Sequence, residues 1–243
     1  MTTAQDTQPF LFRDEGLVCL AAHGDRRGLA LENNQWGRTR NGATGQQTVW
    51  YDNERGEFGW NWNWTGANGG RVTGYPEVVH GHKPWSHRET LGRIQQIGTL
   101  AVDYEFETVA DGSWNATFEM WLTRGAKAHG NDITAEIMVW VARDAADALR
   151  PCGGEAIRSW PDRGLRLYQE RSSQRAPIFS FVLDRPQHAG RVDLRWYLDV
   201  LLEWGRIPGG DHICAVEFGN EVVNGSGSTV VRRFDVTHIP TTS

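Results

Sequence analysis

Thr134-Ala135-Glu136-Ile137-Met138-Val139-Trp140-Val141 reads as a β-strand, rich in β-branched and aromatic side chains and free of glycine and proline. Strand side chains alternate between faces, so Ile137, Val139 and Val141 share one face while Glu136, Met138 and Trp140 share the other. The aliphatic face belongs to a core. A carboxylate between a thioether and an indole is costly unless its face lines a cleft in which the charge is used.

Two further stretches repeat this pattern. In Thr117-Phe118-Glu119-Met120-Trp121-Leu122, the core face is Phe118, Met120 and Leu122, which leaves Glu119 beside Trp121. In Ala215-Val216-Glu217-Phe218-Gly219-Asn220-Glu221-Val222, the bulky Val216, Phe218 and Val222 oppose Glu217 and Glu221. Four glutamates on non-core faces, accompanied by Met and Trp, suit a polysaccharide cleft in which two carboxyls flank a glycosidic bond.

Strand-like runs recur near 17–23, 29–36, 46–52, 57–64, 94–107, 114–123, 133–142, 164–171, 176–183, 212–222 and 228–236, punctuated by Gly, Asn, Asp and Pro. This is an all-β pattern. One segment departs from it: Leu194, Tyr197, Leu198, Leu201 and Leu202 follow helical spacing, with Arg195 and Asp199 an opposite-charge pair on the other face and Gly209-Gly210 as the expected stop. The expected architecture is a single domain over residues 1–243, a β-sandwich with one packed α-helix.

The net charge of -5 arises from interspersed acids and bases with no basic stripe, which argues against nucleic acid as a partner. No apolar run exceeds six residues, so no membrane-spanning helix is expected. The first residues lack a charged and an apolar region, so the chain is either intracellular or secreted with a signal peptide outside this sequence; secretion is the expectation. Cys19, Cys152 and Cys214 are too far apart for a metal knuckle or redox pair. His80, His82 and His87 lack a further ligand at a familiar metal spacing, and their stretch reads as a loop at the cleft rim with Trp85 as a sugar contact. No metal or cofactor is expected, and nothing demands more than a monomer. Of the 12 tryptophans, most should pack the core, and the rest offer flat platforms for sugar rings.

Several separated strings occur in order along the chain: Asn33-Asn34-Gln35-Trp36-Gly37, Trp62-Asn63-Trp64, Tyr75-Pro76, Glu119 in its strand, Glu136-Ile137-Met138-Val139-Trp140, and Glu217-Phe218-Gly219-Asn220-Glu221 followed by Gly225-Ser226-Gly227. By these strings the chain resembles family 12 of the glycoside hydrolases, β-1,4-glucanases with a β-jelly-roll fold. The resemblance implies a jelly-roll sandwich of two curved antiparallel sheets with a concave substrate cleft. It implies that Glu136 is the nucleophile, Glu221 the general acid/base, Glu119 a third acid hydrogen-bonded to Glu136, and Trp36 a sugar platform. Asn34, Met138, Trp121, Trp85 and Glu217 are the further expected substrate contacts. There are departures: Asn220 precedes Glu221 and Val222-Val223-Asn224 follows it, where many members have Thr, Pro, Phe and Thr, and Glu119 stands where many have Asp. Gly225-Ser226-Gly227 reads as a turn between the last two strands.

The implied activity is endo-hydrolysis of β-1,4-glucosidic bonds in cellulose or mixed-linkage β-glucan by a retaining double displacement, with Glu221 kept protonated by the negative Glu136 nearby. Xyloglucan-specific hydrolysis or transglycosylation is the alternative within the enzyme class, and a non-catalytic carbohydrate-binding jelly roll is the alternative outside it. Rim loops such as 65–90 and 143–163 are expected to decide among substrates.

Overall fold

The computed structural model describes residues 9–25, 27–67, 70–145, 151, 154–171 and 176–241. Two sheets face each other. Sheet A runs in the order β1 (Phe10–Phe12), β4 (Thr44–Asp52), β5 (Glu57–Thr65), β17 (Val222–Pro240), β8 (Ile97–Ala110), β14 (Ala189–Asp193). Sheet B runs β2 (Gly16–Cys19), β3 (Leu29–Asn34), β6 (Tyr75–Gly81), β16 (Ala215–Gly219), β9 (Ser113–Thr123), β10 (Ile133–Arg143), β13 (Pro177–Leu183), β12 (Leu165–Arg171), β11 (Arg158–Trp160). A short ribbon of β7 (Gly92–Arg93) and β15 (His212–Ile213) extends sheet B beside β9. This is the expected jelly-roll sandwich, antiparallel throughout except that β10 and β13 pair in parallel.

The alternation read from sequence places the core between the sheets. Phe58, Trp60, Trp62 and Trp64 of β5 all point inward, and Phe118, Met120, Leu122, Ile137, Val139 and Val141 meet them from sheet B. Aromatic rings lock the two layers: Phe118 lies 4.8 Å from Phe218 within sheet B, and Tyr104 and Phe106 of sheet A lie 5.0 Å from Phe118 and Phe218 respectively. Each such ring contributes about 2–3 kcal/mol through burial.

The helix α2 (Leu194–Glu203) buries Leu194, Leu198, Val200 and Leu201, and Arg195 pairs with Asp199 as expected. It ends ahead of the expected Gly209-Gly210 stop, because Gly205 takes the left-handed conformation (φ 67) that closes a helix. A single turn, α1 (Arg38–Asn41), has no counterpart in the sequence reading.

Other boundaries also differ. The run 17–23 is strand only to Cys19 and then a 3₁₀ turn, and residues 94–96 form another such turn ahead of β8. The stretch 65–90, expected as a rim loop, contains β6 in the middle of sheet B; Pro76 inside the run disguises it, since proline is usually confined to strand edges and ends. Gly225-Ser226-Gly227 is not a turn but part of β17, opposite Trp64, Asn63 and Trp62. A Cβ on Gly227 would lie 2.3 Å from the Trp62 ring, so glycine is required there by close approach. Cys152 lies outside the described residues, and Cys19 and Cys214 are free thiols.

Candidate active site

On the face of sheet B turned away from the core, strand register assembles a row of carboxyls. Glu32 of β3 is opposite Glu77 of β6, Glu217 of β16 is opposite Glu119 of β9, and Glu136 of β10 is the diagonal neighbour of Glu119, whose direct partner is Met138. The sequence pattern points to Glu119, Glu136 and Glu217; it does not point to Glu32 or Glu77.

Glu221 joins the row from a different direction. It is not in a strand: β16 stops at Gly219 and β17 starts at Val222, so Glu221 sits where the chain passes from one sheet to the other. It is held by a reciprocal clamp. Asn115 Nδ2 donates to Glu221 Oε2 at 2.6 Å, and the Glu221 backbone N–H donates to Asn115 Oδ1 at 3.2 Å.

The neighbouring Asn220 is wholly buried and ties this crossing to the core. Its Oδ1 accepts from Trp60 Nε1 at 2.6 Å and from the Thr229 hydroxyl at 2.7 Å, and its Nδ2 donates to the Asn115 carbonyl at 2.9 Å. This explains an amide at the departure from the family pattern. Asn220→Ala should leave the buried Trp60 Nε1 donor unpartnered, while the Thr229 hydroxyl can turn to Thr108 Oγ1 at 2.8 Å, and lower stability by about 2 kcal/mol, which lowers Tm by roughly 6 °C. Thermal unfolding followed by circular dichroism measures this, and a change under about 2 °C would contradict the assignment.

Burial and crowding govern the charges. Glu221 is pushed up to about 7, first by burial and then by Glu170, against the hydrogen bond from Asn115. Burial therefore outranks the proximity of Glu136 as the cause. Glu136 and Glu119 are also raised well above the ordinary carboxylate range, Glu136 by burial and then by Glu221, Glu119 by burial and then by Glu136. The group must hold protons among its members at mildly acidic pH. Among the described residues no hydrogen bond joins Glu119 to Glu136; they are diagonal neighbours whose charges repel.

Lys83 lies over this row, from a segment read in sequence as rim loop. Its ammonium, 5% exposed, lies 2.7 Å from Glu77 Oε1, 2.8 Å from Glu217 Oε2 and 3.1 Å from Glu32 Oε2. Burial opposes its charge, but Glu217, Glu77 and Glu32 together hold it protonated. Glu217 is fully buried in this cluster and so is placed below the surface a sugar would touch. The phenol of Tyr75, also buried, donates to the Thr117 carbonyl at 3.3 Å, and burial together with Glu119, Glu77, Glu217 and Glu221 keeps it protonated.

The expected platforms flank the row. Trp36 is 49% exposed; its backbone N–H donates to Asn34 Oδ1 at 3.3 Å, and the Arg40 guanidinium lies 4.5 Å over its ring. Asn34 Nδ2 donates in turn to Glu77 Oε1 at 3.5 Å. The glycine of this string is needed, because a Cβ on Gly37 would fall 2.1 Å from the Val72 carbonyl oxygen. Trp85, 46% exposed, meets the half-buried Trp121 edge-on at 6.1 Å. Met138 is buried with Trp140, Val182 and Val223, and so forms floor rather than open contact surface. A hollow of ≈ 290 Å³ lined by Tyr104, Trp196 and Tyr197 contains none of these groups.

The sequence profile of glycosyl hydrolase family 12 matches residues 27–239. A xyloglucan-specific endo-β-1,4-glucanase A from Emericella nidulans is 21% identical over 204 residues, covering 82% of this chain and 80% of that relative. Among solved structures, a family 12 xyloglucanase from Bacillus licheniformis superposes with a TM-score of 0.78 at 22% identity, covering 95% of this chain and 100% of the other. An endoglucanase from Rhodothermus marinus does so with a TM-score of 0.76 at 19% identity, covering 96% and 100%. At these identities the structural likeness speaks for the fold.

Proposed function

Because the chain belongs to glycosyl hydrolase family 12, we propose that its carboxyl row hydrolyses β-1,4-glucosidic bonds within glucan chains by a retaining double displacement. Glu136 attacks the anomeric carbon as the bond to the leaving oxygen breaks, and the proton on Glu221 passes to that oxygen. Water then attacks the glycosyl ester, giving its proton to Glu221 as Glu136 leaves. Glu119 orients Glu136, and the exposed indoles of Trp36 and Trp85 supply stacking surfaces for the polymer. The supporting observation is the crowding of Glu119, Glu136 and Glu221 on one non-core face, where burial keeps protons available. A binding module has no use for such a group. Action on a polymer fits an exported protein, and we place it outside the cell.

A backbone of β-1,4-linked glucose is common to cellulose, mixed-linkage glucan and xyloglucan. Xyloglucan is the second reading for the substrate, favoured by the named activities of the Emericella and Bacillus relatives. Product analysis on a soluble cellulose derivative, mixed-linkage glucan and xyloglucan, side by side, separates these readings. Release of no oligosaccharide from any of the three would leave only a binding role.

The pH dependence follows from the acid. Glu221 must be protonated to assist departure, so kcat/KM should fall as pH rises through about 7, with an acidic limb where Glu136 takes up a proton. The two limbs belong to the coupled pair rather than to either residue alone. A kcat/KM profile that stays level to strongly alkaline pH would contradict this assignment.

A further inference from the structure

Lys83 has a role that its contacts define. Six carboxyls, those of Glu32, Glu77, Glu119, Glu136, Glu217 and Glu221, are linked by register and charge along one face, and among the described residues Lys83 is their one cation in ion-pair contact. Its ammonium is nearly sealed from water by the same residues and by the Trp85 ring, 5.5 Å away. A buried row of acids with one compensating charge cannot be fully ionised, so the number of protons it holds depends on that charge.

We propose that Lys83 is a positioning residue for the reaction: its single buried charge sets how many protons the carboxyl row retains, and so keeps Glu136 ionised while a proton remains on Glu221. This rests on the reading of Glu136 and Glu221 as the reacting pair. The charge reaches the pair through neighbours. Lys83 touches Glu217, Glu217 is opposite Glu119, and Glu119 is diagonal to Glu136. The groups facing Lys83 are Glu32 from β3, Tyr75 and Glu77 from β6 and Glu217 from β16, with Glu119 from β9 beyond; Cys214 beside Glu217 and Glu170 beside the reacting pair complete the titratable surroundings.

Removing the cation should make the row take up a proton it otherwise lacks, and removing one carboxylate should do the reverse. The test is the kcat/KM pH profile of Lys83→Met, Glu217→Gln and the double variant on a soluble β-1,4-glucan, with circular dichroism to establish folding. Lys83→Met should move the acidic limb upward by about one pH unit, and Glu217→Gln should move it downward. The double variant, which restores the charge balance, should return it close to that of the unmodified protein. A purely structural ion pair would lower activity without these opposed displacements. An unmoved limb in folded Lys83→Met overturns the proposal, as does a double variant whose limb stays where Lys83→Met puts it. If Lys83→Met does not fold, an unmoved limb in Glu217→Gln overturns it equally, as does a double variant whose limb stays where Glu217→Gln puts it. Glu136→Gln, run in parallel, reports on the underlying reading: full activity there removes the reacting pair, whereas its inactivity beside unmoved limbs removes only the role of Lys83.

Discussion

Glu136→Gln should reduce hydrolysis of a β-1,4-glucan by about 10⁴-fold or more while the protein remains folded. The amide is nearly isosteric with the carboxyl, but it has no charge with which to attack the anomeric carbon. Retained folding follows from the surroundings. Glu136 is buried and repelled by Glu221, Glu217 and Glu170, so neutralising it relieves a position that costs stability. The expected signature is therefore a catalytic loss with an unchanged or raised Tm. Loss of activity accompanied by unfolding would point to a structural role for this carboxyl.

Glu221→Ala should separate the two steps of the reaction by their dependence on the leaving group. Its proton matters most when the departing oxygen is a poor leaving group, so turnover of the polymer should fall by roughly 10³-fold. Formation of the glycosyl-enzyme from an activated dinitrophenyl glycoside, which needs no protonation, should be far less affected. The second step then lacks its base, and azide, which needs none, should restore turnover by about tenfold or more and give a glycosyl azide of retained configuration. The clamp from Asn115 supports the proposed choice of Glu221 rather than Glu217 as acid and base, since Glu221 is fixed in orientation yet partly exposed, whereas Glu217 is fully buried against Lys83. Equal losses on polymer and activated glycoside, with no effect of azide, would contradict the assignment.

The sandwich and most of the row are legible in the sequence because both depend on period-two alternation. Once Ile137, Val139 and Val141 are assigned to a core, Glu136 has nowhere to point but the opposite face, and the same reasoning places Glu119 and Glu217. Alternation fails where the chain leaves regular structure. Glu221 reads as a strand residue, but the strand breaks after Gly219, and Asn220 turns inward to Trp60 and Thr229 while Glu221 is caught by Asn115. Glu32 and Glu77 are hidden differently: Glu77 lies beside Pro76 in a strand that proline disguises, and neither residue gains meaning until β3 and β6 are paired. Lys83 is the least accessible of all. A lysine in a Gly-, His- and Pro-rich stretch reads as a solvated loop charge, and only tertiary placement brings its ammonium within 3.1 Å of three carboxylates contributed by separate strands. Long-range pairing of this kind also underlies the parallel alignment of β10 with β13.

In the proposed reaction Glu136 becomes covalently glycosylated. Incubation with a 2-deoxy-2-fluoro cello-oligosaccharide bearing an activated leaving group, followed by proteolysis and mass spectrometry, tests it most directly, because the fluorine slows breakdown of the glycosyl-enzyme. The expected result is time-dependent inactivation with one fluoro-sugar per chain, carried by the peptide containing Glu136 and localised to that residue. A label on Glu119, Glu217 or Glu221, or continued activity with no covalent adduct, would contradict it.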